Sequence, residues 1–211
     1  IKEYSSYFFY MDTDINIRLF TNNKNKAEKA LKHVEQIYKE YHILTDKYKS
    51  YDDVINVNYI NNNNSKEKYL KIDKKLYDLI KYGIKSYEIT NGLININIGN
   101  VTDVWKKYRD NKNGVPNIEE LKNAGSIDIN EIVLTDDYKI LNNKPNIDLG
   151  AIVKGYTTEV AGKYLENIGI TKYIINAGGN VKVGKHYNGK KYRIGVQDPT
   201  DISKTIDVVE K

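Results

Sequence analysis

The stretch from Asn146 to Val183 reads NIDLGAIVKGYTTEVAGKYLENIGITKYIINAGGNVKV. Its succession of predicted strands and a helix decides the fold class. Ile147–Leu149 predicts a short strand and Gly150–Ala151 a turn, and the apolar spacing that follows predicts a helix that ends at Asn167. The strands predicted next, at 172–176 and 180–183, are joined by a Gly-Gly turn. Because strands and helices are interspersed here without regular βαβ spacing, the stretch predicts an α+β fold.

The rest of the chain extends the same pattern. Asp14–Phe20 alternates polar and apolar residues, which predicts a half-buried strand, and Lys24–Tyr41 repeats apolar residues at helical spacing. Asp73–Tyr87 predicts another helix, with Asp73 as its N-cap. Further helices are predicted at 52–61, 101–107 and 116–124, and further strands at 93–98, 132–134, 138–141 and 191–196. Since no Pro/Gly/Ser-rich linker divides the chain, we expect a single mixed domain over 1–211, with an antiparallel or mixed sheet and flanking helices.

Composition excludes several classes of protein. The chain contains no Cys, which excludes a disulfide scaffold, a thiolate zinc site, an iron–sulfur cluster and a Cys nucleophile. The formal net charge is +5, but Lys is scattered among Asp and Glu, so we predict a solvated surface and no nucleic-acid partner. No apolar run approaches the roughly 18 to 20 residues that span a bilayer. The chain begins at Ile1 rather than Met, which we interpret as a mature or trimmed segment.

The most informative motif surrounds Asp148 and Lys154. A strand that ends in an acidic residue continues through Gly150 into a helix with Lys154 one turn inside. Free N–H groups, the positive end of the helix and an ammonium group would then converge on one anion. Asp148 could accept a hydrogen bond from a base or a sugar. An ordinary tight strand-to-helix turn with an exposed Lys remains an open alternative.

Five segments carry a further signal when they are taken in order. They are YMDT at 10–13, TDKYKSYDDVINVN at 45–58, TNGLININIGNVTDVW at 90–105, DLGAIVKGY at 148–156, and IINAGGNVKV at 174–183 with GVQDP at 195–199. This series resembles the motifs of the ApbE-type FAD:protein FMN transferases, and the fourth segment matches almost residue for residue. The chain departs from the family pattern at Asp12, Asn95, Asn97 and Asn100.

The resemblance implies a T-fold-like α+β structure that binds FAD, with Mg²⁺ at the pyrophosphate. It implies an enzyme that attaches the FMN part of FAD to a Thr or Ser of a target protein and releases AMP. The alternative is a protein that binds or hydrolyses FAD without transferase activity. By the same resemblance we expect an extracytoplasmic lipoprotein, attached to the membrane through a segment before Ile1. Because several family motifs come after Lys211, we also expect the domain to be truncated at its C-terminal end.

Carried over residue by residue, the resemblance also predicts site residues. The positions that fall on FAD contacts are Met11, Tyr48, Leu93, Ile94, Asn95, Asp148 and Lys154. The backbone carbonyl of Ala151 falls on a metal ligand. No residue is assigned a catalytic role.

Overall fold

The computed structural model describes residues 1–112, 114–201 and 203–211. The strands are β1 (Lys2–Tyr10), β2 (Thr13–Thr21), β3 (Tyr69–Lys71), β4 (Leu134–Thr135), β5 (Lys139–Leu141), β6 (Tyr173–Ala177), β7 (Asn180–Val183), β8 (Arg193–Gln197) and β9 (Thr205–Glu210). The helices are α1 (Lys24–Thr45), α2 (Val57–Asn62), α3 (Lys74–Ile89), α4 (Gly99–Asn111), α5 (Ile118–Lys122) and α6 (Gly150–Asn167), with a 3₁₀ turn at Ile129–Glu131. Two compact units result: unit 1 is 1–38 with 154–211, and unit 2 is 39–153.

Unit 1 is built on a four-stranded antiparallel sheet in the order β1-β2-β6-β7. In β2 the side chains of Ile15, Ile17 and Leu19 are fully buried, while Asn16 and Arg18 between them are exposed. This alternation is the period-2 pattern of a strand with one face on a core. Strands β8 and β9 form a separate antiparallel pair.

The core of unit 1 lies between this sheet and residues of two helices. Ala27, Ala30 and Val34 of α1 pack with Ala161 and Leu165 of α6 against the inner face of β2 and β6. Small residues on both helices allow their backbones to approach the sheet closely. The buried Tyr38 hydroxyl is satisfied by the Thr158 hydroxyl at 2.8 Å.

Unit 2 combines a small antiparallel sheet, in the order β3-β5-β4, with helices α2 to α5. Leu76, Leu79 and Ile80 of α3 are fully buried. Helix α3 begins where predicted, because the Asp73 side chain accepts a hydrogen bond from the Lys75 N–H. The helix therefore has both an apolar face and a capped start.

A buried amide, Asn56, fixes the chain between α1 and α2. Its side chain is fully buried, and its Nδ2 lies 3.2, 3.1 and 2.8 Å from the carbonyl oxygens of Ile43, Asp46 and Lys49. Its Oδ1 accepts the Tyr59 N–H at 2.9 Å and so caps α2. One side chain thus contacts four backbone groups, three carbonyls and one N–H, in a buried position.

The mixed α+β class is confirmed, and every strand pair described is antiparallel. The predicted helices α1, α3, α4 and α6 are present, whereas the predicted strands at 93–98 and 147–149 are wrong. These segments contact each other through Asp148 N–H to Ile96 O at 2.8 Å, but the neighbouring Asn146 N–H bonds the Asn97 side chain instead of a backbone carbonyl. Strands β1, β3 and β9 were not predicted, and the single-domain count stays a prediction.

Asn56→Ala tests the buried amide. We expect it to lower the free energy of unfolding by about 2–4 kcal/mol, because three carbonyls and one N–H lose a buried partner. Urea unfolding followed by circular dichroism measures this loss. Asn62→Ala, in the same helix but exposed, serves as the control and should change stability by no more than about 0.5 kcal/mol. Equal stability of the two variants would contradict the role given to Asn56.

Candidate functional site

A polar cluster in unit 2 surrounds the ammonium group of Lys47. The Lys47 side chain is 7% exposed, and its Nζ lies 2.9 Å from Asp103 Oδ1 and 3.6 Å from Asp148 Oδ2. The same Nζ donates to the Gly99 carbonyl at 3.1 Å and to the Thr102 hydroxyl at 3.2 Å. Since an isolated buried ammonium is very unfavourable, these four oxygens explain how it is accommodated.

The carboxylate of Asp148 is held on both of its oxygens. Its Oδ1 accepts the Gly150 N–H at 2.9 Å, at the start of α6, and its Oδ2 accepts the Thr102 hydroxyl at 2.7 Å. The side chain retains 18% exposure. The N-terminal end of α6 is thus bonded by a carboxylate of the protein itself.

Tyr48 presents its ring beside this cluster. The ring is 55% exposed, with Lys47 Nζ 5.4 Å and Lys106 Nζ 5.3 Å from its centroid, both within the range of a cation–π interaction. Loss of hydration raises the pKa of the Tyr48 phenol to about 12, and the carboxylates of Asp148 and Asp103 add to this shift. The phenol is therefore neutral at physiological pH and can donate a hydrogen bond.

The predicted contact residues Leu93, Ile94 and Asn95 lie on an irregular loop of unit 2. Leu93 is 90% exposed, and the Ile94 N–H donates to the Thr90 hydroxyl at 3.0 Å. The Asn95 amide donates to the Ile127 carbonyl at 2.8 Å. The loop is thus fixed by polar contacts while an apolar side chain projects from it.

The loop joins the Asp148 segment through a close approach of backbone. The Gly99 N–H donates to the Asn146 carbonyl at 2.8 Å, and a Cβ at Gly99 would lie only 2.3 Å from that oxygen. Asn97 Oδ1 accepts the Asn146 N–H at 3.1 Å. These contacts bring Thr102 to Asp148, and unit 2 therefore assembles Tyr48 and Asp148 around Lys47. The Asp148 N–H also donates to the carbonyl of Ile96, directly after the 93–95 loop, at 2.8 Å.

Two predicted residues, Met11 and Lys154, belong to unit 1. Met11 lies in the tight turn between β1 and β2 with a φ of 55°, a left-handed conformation that is uncommon for a residue with a side chain. Gly178, in the turn between β6 and β7, also has a φ of 55°, and a Cβ there would lie 2.0 Å from Thr13 Oγ1. Lys154 lies half-buried in the early part of α6.

Ala151, the predicted metal ligand, lies exposed in the first turn of α6. Across residues 1–112, 114–201 and 203–211, no group of three or more His, Cys, Asp or Glu side chains is arranged to hold a metal. Asp148 is the nearest acidic residue in sequence, and its oxygens already contact Lys47, Thr102 and Gly150. These residues by themselves do not fit a magnesium centre, which needs near-octahedral oxygen ligation.

Sequence reasoning missed Lys47, Thr102 and Asp103. All three fall inside segments that carry the resemblance, but none has a local signal that separates it from other polar residues. Lys47 is 52 residues from Gly99, so only the folded chain brings its partners together.

Comparison with known proteins gives the family. A sequence model of the ApbE family matches residues 11–211. The chain belongs to the ApbE family. A curated relative, the FAD:protein FMN transferase of Klebsiella pneumoniae strain 342, is 30% identical over 64 residues, which cover 30% of this chain and 18% of that protein.

Solved ApbE structures share the fold. The ApbE protein of Thermotoga maritima superposes with a TM-score of 0.84 at 22% identity, covering 100% of this chain and 68% of that one. The flavin transferase ApbE of Vibrio cholerae gives a TM-score of 0.76 at 18% identity, covering 100% and 67%. At these identities the likeness establishes the ApbE fold alone.

The Tyr48 phenol should titrate late. In protein labelled with ¹³C at the tyrosine Cζ, we expect the Tyr48 resonance at pH 11 to keep the chemical shift of a mainly protonated phenol. The reason is that the pKa of this phenol is raised to about 12 from the ordinary value of about 10. Tyr48→Phe assigns the resonance. Replacing both neighbours, Asp103→Asn with Asp148→Asn, should move the midpoint downward. A wild-type midpoint near 10 would contradict the electrostatic description.

Gly99→Ala should be poorly tolerated in this ApbE protein. A methyl group there meets a backbone oxygen at 2.3 Å, and we expect a loss of about 1–3 kcal/mol in the free energy of unfolding. Gly155→Ala is the matched control, because its Cβ would meet a side-chain atom, Asn180 Oδ1, at 3.3 Å, and alanine favours a helix. Thermal unfolding of both variants measures the difference. A Gly99→Ala variant as stable as Gly155→Ala would contradict the close approach.

Proposed function

We propose that this protein is an FAD:protein FMN transferase. The observation that carries the proposal is the Asp148 carboxylate, fixed at the start of α6 inside a segment that resembles an ApbE motif, in a chain that the family model matches over 11–211. The hydroxyl oxygen of a target Thr or Ser forms a bond to the FMN-side phosphorus of FAD, and the bond from that phosphorus to the AMP oxygen breaks. The hydroxyl proton passes to solvent, and AMP leaves.

In this proposal the chain's own residues bind and orient FAD. Asp148 accepts a hydrogen bond from an N–H or O–H group of the dinucleotide. Tyr48 offers an exposed aromatic face for stacking against a planar ring, and its neutral phenol donates a hydrogen bond. Leu93, Ile94 and Asn95 lie in the same unit. Leu93 exposes an apolar side chain, and the Asn95 amide is held by the Ile127 carbonyl. Met11 and Lys154, which belong to unit 1, remain contacts proposed from the resemblance, and the charge of Lys154 suits a phosphate.

Magnesium dependence is part of the proposal through the family resemblance, with the Ala151 carbonyl as one ligand. A bound Mg²⁺ would offset negative charge on the phosphates. The described side chains supply no complete ligand set, so further ligands would come from FAD, water or other parts of the protein.

The cellular setting is also proposed from the resemblance. We infer a target protein that carries the acceptor Thr or Ser, and a location outside the cytoplasmic membrane with attachment through a lipid-bearing segment before Ile1. Within the part of the chain that the structure describes, no helix combines the length and apolarity required to cross a membrane.

Transfer is tested with FAD, Mg²⁺ and a mixture of synthetic peptides that each carry one Thr or Ser. We expect AMP and flavin-labelled peptide in equal amounts, measured by chromatography with mass detection, and no product after chelation of the metal. Asp148→Ala should slow the reaction at least about tenfold, because a charge-assisted hydrogen bond to FAD is lost. Lys75→Met, which breaks a Lys75–Glu40 ion pair elsewhere in unit 2, should not slow it.

The other outcomes separate the alternatives. AMP with free FMN and no labelled peptide would indicate FAD hydrolysis. Stoichiometric FAD retention without any product would indicate a binding protein. Absence of FAD binding by the protein would contradict both the transferase and the alternative of a protein that binds or hydrolyses FAD.

A further inference from the structure

Lys47 occupies an unusual position for a lysine. Its side chain is 7% exposed, and four oxygens from Gly99, Thr102, Asp103 and Asp148 lie between 2.9 and 3.6 Å from its Nζ. Lysine is rarely buried to this extent unless it is paired. Burial of this charge therefore needs a reason beyond the packing of unit 2, because an apolar side chain of similar volume would fill the same space at lower cost.

The ammonium group contacts both residues predicted to touch FAD in this part of unit 2. It forms an ion pair with Asp148, and it lies 5.4 Å from the centroid of the Tyr48 ring. Tyr48 directly follows Lys47 in the chain, whereas Asp148 is distant in sequence. One buried charge thus connects an aromatic surface to a carboxylate.

The carboxylate of Asp148 depends on this connection. Thr102 and the Gly150 N–H each bond one of its oxygens, which leaves lone pairs for a ligand, since a carboxylate offers about four acceptor positions. Asp103 brings a second carboxylate to the same ammonium. Without Lys47, the Asp148 carboxylate would lose the cation that pairs with it at 3.6 Å, and its orientation would no longer be fixed on that side, with or without the charge of Asp103.

We propose that Lys47 is a positioning residue for FAD binding. It holds the Asp148 carboxylate beside the Tyr48 ring, in the orientation that accepts a hydrogen-bond donor of FAD. This inference rests on the proposed function. It assigns Lys47 no contact with FAD and predicts that its effect passes through Asp148.

Equilibrium FAD binding, measured by polarisation of the flavin fluorescence, tests this role. We expect Lys47→Met to weaken FAD binding by about tenfold or more, as expected when one partner of a buried pair is removed. Lys47→Arg, which keeps the charge, should recover part of the loss. Lys75→Met is the matched control, because it removes an ion-paired lysine from the same unit without reaching the cluster, and it should bind FAD like the wild type.

A double-mutant cycle separates positioning from general stability. Once Asp148→Asn is present, Lys47→Met should weaken FAD binding by less than about twofold, because coupled residues are not additive. If Lys47→Met does not fold, the double variant Lys47→Met with Asp103→Asn is tested in its place, because it keeps the net charge of the cluster. That variant should fold and still bind FAD weakly.

Two results would overturn the inference while the proposed function stands. One is wild-type FAD affinity in Lys47→Met or its charge-balanced form, and the other is a full, independent loss when Lys47→Met is added to Asp148→Asn. Failure of the wild-type protein to bind FAD would be a different result, because it overturns the proposed function and this inference with it.

Discussion

The close approach between Gly99 and Asn146 is the constraint on which the candidate site depends. The Gly99 N–H reaches the Asn146 carbonyl at 2.8 Å only because no Cβ stands between the two backbones. Helix α4 therefore begins directly against the segment that leads into Asp148. One turn later Thr102 reaches the Asp148 carboxylate, and Asp103 reaches the ammonium of Lys47. A larger residue at position 99 would separate these groups, whatever their own chemistry.

Asparagine side chains bond the backbone of residues 146 and 147, as a neighbouring strand does in a sheet. Asn97 Oδ1 accepts the Asn146 N–H, and Asn61 Oδ1 accepts the Ile147 N–H at 2.9 Å while its Nδ2 donates to the Ile147 carbonyl at 3.0 Å. Buried backbone groups must be paired, and an amide that both donates and accepts can pair them without regular strand geometry. The loop that carries Leu93 to Asn95 is consequently irregular in shape but bonded along its length. Such a loop can present side chains to a ligand from a fixed framework.

The sequence predicted the elements that depend on local pattern. Periodicity found α1, α3 and α6, and the residue order of five motifs found the family. Prediction failed where the bonding partner is distant in sequence. The alternation of Ile94, Ile96 and Ile98 predicts a strand, but in the fold asparagine side chains bond the facing backbone and no strand forms there. Lys47 was missed for the same reason, because its sequence neighbours give no sign of the two carboxylates that surround it.

The charge of the cluster bears on what it can bind. Two carboxylates and one ammonium leave a net negative charge, and the N-terminal end of α6 is already occupied by the protein's own Asp148 carboxylate through the Gly150 N–H. The sequence alone pointed to an external anion at this end of the helix. A phosphate brought to this cluster would be repelled, whereas an N–H or O–H donor and an aromatic ring would be attracted. The arrangement around Lys47 thus suits an uncharged part of a dinucleotide, and the phosphates require positive partners outside it.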